Sequence, residues 1–155
     1  SLGSRGLGDV YKRQVNAVYY PVSIKDLNKT DKRESGYCRV KVEGKDLSFY
    51  GKKIKTKNKN FWVYAANPGK IKKPTKSHPI VQSYVDLFIG GCFQIKERYK
   101  INEFPKQCVE TTTEWSKHWV NDRVHARRPF LVPNFYKIDN LLSNFFDYYL
   151  DNKYQ

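Results

Sequence analysis

The sequence predicts an α+β fold in which a small mixed sheet and two main helices form a single domain. Apolar residues recur at helical spacing in two segments, about residues 79–90 and 139–152. Residues 37–44 and 61–66 are instead typical of strands. The chain of 155 residues can bury one core, and 12 Tyr, 9 Phe and 3 Trp supply its apolar surface.

Residues 1–14 show no periodicity, and residues 4–14 resemble a translated sequencing-library adaptor. We therefore treat residues 1–14 as a non-native segment. We expect the authentic sequence to start near Val15 and the domain to be incomplete, with a truncated C-terminus. Without residues 1–14 the chain keeps 26 basic and 14 acidic residues, so its net charge of +12 does not come from the adaptor.

The N-terminal segment, residues 15–36, is expected to hold a strand and a loop. Residues 15–24 carry the apolar and aromatic content of a strand, which Pro21 interrupts. Residues 25–36 are polar and predict a loop. The remaining residues, 37–155, are expected to form the domain proper.

Within that domain the elements follow one another closely. Polar and apolar residues alternate over 37–44, which predicts a half-buried strand, and residues 61–66 predict a second one. Pro79 suits the first turn of the helix at 79–90, and the glycine pair that starts at Gly90 suits its end.

The second half of the domain is predicted to alternate strand and helix. Residues 92–99 suit either a strand or a continuation of the preceding helix, and residues 108–115 have high strand propensity. The last helix, at 139–152, would start at Asp139, which would act as its N-cap or lie in its first turn.

The strongly basic composition predicts a polyanionic partner, most simply nucleic acid. Residues 45–76 carry a net charge of +9 and include several aromatic residues, which suits phosphate contacts combined with packing on bases. A solvated hairpin whose lysines serve solubility is the alternative. The expected nucleic-acid contacts are Lys52, Lys53, Lys55, Lys57, Lys59, Lys70, Lys72, Lys73, Arg127, Arg128 and Lys137.

The cysteines and histidines predict no metal site. The three cysteines are far apart and lack a C-x-x-C pair, which favours reduced thiols in a cytoplasmic protein. His125 and Arg128 have a spacing seen at some phosphoryl-transfer sites, but a basic loop explains it as well. No apolar run has the length of a membrane helix, so a membrane span is excluded.

Residues 138–150 resemble the RusA-type Holliday-junction resolvases, a family of crossover-junction endodeoxyribonucleases. The run Asp139-Asn140-Leu141 matches the D-N-L core of the family's D-x-D-N-L-x-K signature, and Phe146-Asp147 follows at the family's spacing. Residues 40–48 are similar to the family's opening strand and turn. The resemblance spans residues 38–155, and its specific part is 138–150.

This resemblance implies an enzyme that cuts branched DNA by Mg²⁺-dependent phosphodiester hydrolysis. It implies a role in DNA recombination and repair and a homodimer that cuts two strands of a junction in concert. A phage origin and a host origin are both left open. By this resemblance Asp139 would bind Mg²⁺, and Asn140 would orient the ion or the phosphate.

The motif also departs from the family. Lys137 stands where the family has its first Asp, and Ser143 where it has Lys. On one helix Asp139 and Asp147 would lie about 12 Å apart, too far to share an ion. Asp139 would therefore need a carboxylate from elsewhere, and the candidates are Glu110, Glu114 and a residue beyond Gln155.

Three functions are consistent with these observations. The first is the endonuclease, and the second is a non-catalytic basic domain or degenerate homologue that binds DNA or RNA. The third is a viral structural protein with a basic surface that faces nucleic acid. Cleavage of a four-way junction separates the first from the others, whereas salt-dependent binding without cleavage favours the second.

Overall fold

The computed structural model of the protein describes residues 15–51, 54–128 and 133–151. The α+β class predicted from the sequence is confirmed. The chain divides into two compact units: the hairpin unit, residues 18–72, and the core unit, which comprises the rest of the described chain. None of the helices in the described ranges combines the length and apolarity needed to cross a membrane.

The hairpin unit contains one helix and two strands: α1 (Ile24–Arg33), β1 (Tyr37–Val42) and β2 (Phe61–Ala66). The two strands pair antiparallel, with Tyr37 opposite Ala66 and Val42 opposite Phe61. Both strands were predicted, but β1 is exposed along most of its length rather than half-buried. A short 3₁₀ turn at Gly44–Asp46 follows β1.

The N-terminal part of this unit differs from the prediction. The loop expected at 25–36 was wrong, because α1 occupies most of it: the Ser23 side chain accepts a hydrogen bond from the Asp26 backbone and caps the helix. The expected strand at 15–24 was also wrong, since residues 15–23 form neither helix nor strand. Within the described chain, β1 and β2 pair with each other and leave no third strand in that sheet.

The core unit packs helices around a very short parallel strand pair. Its elements are β3 (Ile80–Val81), α2 (Gln82–Tyr99), α3 (Phe104–Thr111), β4 (Trp119–Val120), α4 (Phe135–Ser143) and α5 (Tyr148–Asp151). Strand β3 pairs with β4, with Ile80 opposite Trp119. The buried core consists of Val85, Ile89, Val109, Trp119, Ile138, Leu142 and Tyr149.

Helix α2 begins three residues after Pro79 and continues through the glycine pair at Gly90 to Tyr99. The predicted end was wrong, and residues 92–99 continue the helix. A helical glycine costs about 1 kcal/mol, whereas fully burying a side chain such as Ile89 contributes roughly 1.5–3 kcal/mol. The helix ends instead at Lys100, whose left-handed backbone (φ 57°) terminates it.

Two further predictions in this unit were wrong. The strand expected at 108–115 is helix α3 as far as Thr111, because Phe104 and Cys108, four residues apart, bury the same helix face. The single helix expected at 139–152 is two helices, α4 and α5, and α4 starts at Phe135. Asp139 therefore lies in the middle of a helix and is not its N-cap.

Candidate functional site

The carboxyl ends of β3 and β4 lie side by side because the two strands are parallel and in register. Gln82 and Ser83 follow β3, and Asp122 and Arg123 follow β4. Strand pairing thus brings together polar residues that are about forty positions apart in sequence, such as Ser83 and Asp122 (39 positions).

Asp122, which follows β4, accepts hydrogen bonds from the first turn of helix α2. The Ser83 backbone N–H donates to Asp122 Oδ1 at 2.8 Å, and the Ser83 hydroxyl donates to Oδ2 at 2.7 Å. The Arg127 backbone N–H also donates to Oδ2, at 2.8 Å. Partial burial raises the pKa of Asp122, but the hydrogen bonds from Arg127 and Ser83 outweigh it, so the pKa is lowered from 3.8.

Arg123 binds two buried carboxylates at once. Its Nε and Nη2 each donate to Asp86 at 2.7 Å. Its Nη1 and Nη2 lie 3.1 and 2.9 Å from the two Asp139 carboxylate oxygens. Asp86 is 5% exposed and Asp139 4%, and the guanidinium carbon lies 4.8 Å from the centre of the Phe135 ring.

This arrangement keeps the Arg123 guanidinium protonated. Burial lowers the pKa of the guanidinium, but hydrogen bonds to Asp86 and Asp139 raise it by more, so the pKa is above its ordinary value. Each carboxylate meets the planar guanidinium through two N–H···O contacts, a geometry that lysine cannot reproduce.

Three neutral side chains complete the group. Trp119 Nε1 donates to Gln82 Oε1 at 2.8 Å, and Gln82 Nε2 donates to Asp86 Oδ1 at 2.8 Å. The Tyr149 hydroxyl lies 2.7 Å from Asp139 Oδ1 and 3.1 Å from Gln82 Oε1. Its one proton goes to the nearer, charged acceptor, and burial together with this hydrogen bond raises the Tyr149 pKa.

We call these residues the Arg123 network: Gln82, Asp86, Trp119, Arg123, Asp139 and Tyr149. Across the part of the chain that is described, no buried side-chain nitrogen or oxygen lacks a hydrogen-bond partner. The network is therefore a fully satisfied buried polar cluster that ties α2, β4, α4 and α5 together.

The predicted catalytic residues occupy different environments. Asp139 belongs to the network, whereas its neighbour Asn140 is exposed on α4. Glu110 and Glu114, predicted as partners of Asp139, instead pair with Lys106 at 3.8 Å and Lys73 at 3.7 Å. The carboxylate that does approach Asp139 is Asp86.

Sequence reasoning missed both Asp86 and Arg123. Asp86 falls between Val85 and Ile89 on the apolar side of the predicted helix, and a charged residue at such a position is a signal of a buried ion pair. Arg123 lies within residues 116–136, for which local pattern predicts neither a helix nor a strand.

The donor set does not fit Mg²⁺. The Asp86 and Asp139 oxygens already accept hydrogen bonds from Arg123, Gln82 and Tyr149, and a guanidinium lies where a cation would be bound between them. Among the residues with described positions, no group of three or more His, Cys, Asp and Glu could hold a metal ion. The structure thus offers an arginine, rather than a metal, as the counter-charge of Asp139.

The predicted nucleic-acid contacts are divided between the two units. The hairpin unit holds the exposed residues Lys55, Lys57, Lys59, Lys70 and Lys72, whereas Lys52 and Lys53 lie outside the described residues. In the core unit Lys73 pairs with Glu114, and Lys137 pairs with Glu97 at 3.5 Å.

Arg127 and Arg128 also belong to the core unit and are exposed after β4. The Arg128 guanidinium carbon lies 4.5 Å from the centre of the Tyr84 ring, so this side chain stacks on an aromatic residue.

Two regions are therefore candidates for function: the buried Arg123 network of the core unit and the exposed basic surface of the hairpin unit. The first is largely buried, and each of its carboxylates is bound by Arg123. The second exposes lysines and aromatic rings. Comparisons of the chain with known protein families, with curated proteins and with solved structures found no match.

Proposed function

We propose that this protein binds nucleic acid through the basic surface of the hairpin unit. The observation that carries the proposal is the distribution of charge. Residues 18–72 contain 14 basic and 5 acidic residues, a net charge of +9 out of +14 for the whole chain. Such a concentration attracts polyanions and favours their fast association.

The acidic residues of this unit are used mainly around α1. Three of its five carboxylates form ion pairs with basic neighbours: Asp26 with Lys29, Asp31 with Arg39 and Glu34 with Arg33. The described lysines just before β2 are different. Lys55, Lys57 and Lys59 are exposed, and none takes part in an ion pair found among the described residues.

Aromatic rings lie on the same unit. Trp62 is 39% exposed, and the Arg39 guanidinium carbon lies 4.7 Å from its ring centre. Tyr37, at the start of β1, is 52% exposed. Exposed rings beside cationic side chains can stack bases while the cations contact phosphates.

The test is fluorescence anisotropy with labelled oligonucleotides over a range of KCl concentrations. We expect the association constant to fall as salt rises, and the Lys55/Lys57/Lys59→Ala variant to bind more weakly. Its salt slope should be shallower by about 0.7–0.9 for each of the three lysines that binds a phosphate. The matched control is Lys25/Lys29/Lys32→Ala, which removes the same charge from exposed positions of α1.

Absence of salt-dependent binding by the unmodified protein would refute the proposal. Equal weakening in the two triple variants would show that the net charge of the hairpin unit, rather than the lysines before β2, attracts the ligand.

A second candidate is the endonuclease implied by the RusA-type resemblance, and with it the homodimer. The observation that favours it is the closeness of Asp86 to Asp139, because phosphodiester hydrolysis of this kind needs more than one carboxylate. It would require Arg123 to release both carboxylates. The assay is cleavage of a four-way DNA junction in Mg²⁺, comparing the unmodified protein with Asp139→Asn. Equal cleavage by both proteins would remove Asp139 from the mechanism.

A further inference from the structure

An open cleft of about 490 Å³ lies within the hairpin unit, where β1 ends and the chain approaches β2. One wall is residues 41–44 and the other is residues 56–60. Its volume falls within the range of small-ligand sites, which is roughly 300–1,000 Å³. Most of those sites have apolar walls, whereas here Val42 is the one aliphatic side chain among the lining residues.

The charge of the cleft suits an anion. Lys41, Lys57 and Lys59 line it, and Glu43 is the opposing carboxylate, so the side chains of the walls carry a net charge of +2. All three lysines are exposed, and the ion pairs recorded for the described chain do not involve them. Their ammonium groups are available to phosphate oxygens, which accept hydrogen bonds and do not donate them.

The remaining polar groups indicate a ligand larger than phosphate. Asn58 and Asn60 each present a carbonyl acceptor and an amide donor, and Glu43 presents acceptors. A bare phosphate cannot satisfy acceptors at neutral pH because it offers them few protons. A nucleotide can do so, since its base edge and sugar carry N–H and O–H groups.

The walls of the cleft meet at Gly44 and Thr56. A Cβ added to Gly44 would lie 2.6 Å from Thr56 Oγ1 and 2.8 Å from Thr56 Cβ. Because real Cβ atoms do not approach so closely, the spacing of the two walls depends on glycine at this position. In the wall formed by residues 56–60, the backbone of Asn58 is left-handed (φ 64°), a conformation that asparagine adopts more readily than most residues.

We propose that this cleft binds one nucleotide of a single-stranded nucleic acid, with its phosphate among Lys41, Lys57 and Lys59 and its base or sugar against Asn58 and Asn60. The inference rests on the proposed function and adds a preference for single strands. A base in a duplex is stacked and paired, and it would have to leave the helix before it could enter the cleft.

The test compares Gly44→Ala with Gly36→Ala, in the full chain, by anisotropy with a labelled oligothymidylate and with a duplex. Gly44→Ala pushes the walls apart without changing charge, whereas a Cβ at Gly36 meets nothing within 4 Å. We expect Gly44→Ala to weaken single-strand binding about tenfold and to leave duplex binding unchanged. Gly36→Ala is expected to change neither.

Asn60→Ala is the second variant, because it removes a carboxamide from the wall with little risk to the fold. It should also reduce single-strand binding selectively, and circular dichroism checks that each variant is folded. Thymidine monophosphate should compete with the oligonucleotide at concentrations at which inorganic phosphate does not.

The outcomes separate the two proposals. If folded Gly44→Ala and Asn60→Ala bind single strands as the unmodified protein does, the cleft is not the binding site. Salt-dependent binding by the hairpin unit would still stand. If inorganic phosphate competes as well as thymidine monophosphate, the cleft binds anions in general, and the proposal that it recognises a nucleotide is refuted. No binding of any oligonucleotide by the unmodified protein would overturn both proposals.

Discussion

Replacing Arg123 with alanine would leave two buried carboxylates facing each other without a cation. Asp86 and Asp139 are 5% and 4% exposed, so their carboxylates have little contact with water to compensate for the missing guanidinium. The substitution also removes the contacts of 2.7–3.1 Å that the guanidinium makes with the four carboxylate oxygens.

Removing one partner from a buried ion pair costs about 3–5 kcal/mol, because an uncompensated charge stays behind. Here two carboxylates depend on one arginine, and the Arg123 side chain is itself only 16% exposed, so we expect the upper half of that range. Since each kcal/mol lowers Tm by about 2–4 °C in a domain of this size, the loss amounts to roughly 8–20 °C.

The assay is urea unfolding followed by circular dichroism, with thermal unfolding alongside. Arg123→Lys is the graded variant: it keeps the charge but cannot bind both carboxylates through two contacts each, so its loss of stability should be smaller. Arg127→Ala is the matched control, because Arg127 binds Asp122 through its backbone N–H, and it should lie within about 0.5 kcal/mol of the unmodified protein. A loss below about 1 kcal/mol for Arg123→Ala would refute the role assigned to this network.

The described contacts support three further predictions. Tyr149→Phe removes the hydroxyl 2.7 Å from Asp139 and should cost about 1.5–3 kcal/mol in urea unfolding, whereas an unchanged midpoint would show that this hydrogen bond adds nothing. The pKa of Asp122 is lowered in the folded protein, so this carboxylate stabilises the fold at pH values above its ordinary pKa of 3.8, and the stabilisation is lost as the pH falls through the lowered pKa. Asp122→Asn should therefore flatten the dependence of stability on pH in acid, and identical pH profiles for the two proteins would contradict this. A thiol reagent should react quickly with exposed Cys38 and slowly with Cys92, whose pKa is raised by its hydrogen bond with Cys108 and by burial, and a fast phase that survives Cys38→Ser would argue against this assignment.

The elements that local pattern predicted correctly are the two strands of the hairpin and the existence of helix α2. Alternation over 37–44 and the β-branched and aromatic content of 61–66 are properties of a few adjacent residues, and they suffice for strands that pair with each other. The apolar periodicity that follows Pro79 was enough to predict α2, but its start was wrong: Ile80 and Val81 form β3, and the helix begins at Gln82.

Two of the wrong predictions, the strand at 108–115 and the end of α2, share a physical cause. Strand propensity at 108–115 was overridden because Cys108 and Val109 are buried on a face of α3. The glycine pair at Gly90 did not end α2 because the residues around it pack in the core. In each case the free energy of tertiary burial exceeded a local preference of about 1 kcal/mol.

The sequence by itself determined the net charge, its concentration between residues 45 and 76, and the run Asp139-Asn140-Leu141. Only the tertiary structure decided what Asp139 binds. Asp86 and Arg123 are 37 positions apart, and they meet because β3 pairs in parallel with β4 and aligns the residues that follow each strand. Charge and composition are sums over residues, whereas the partner of a buried carboxylate depends on which segments pack beside it, and that is settled only when the whole core forms.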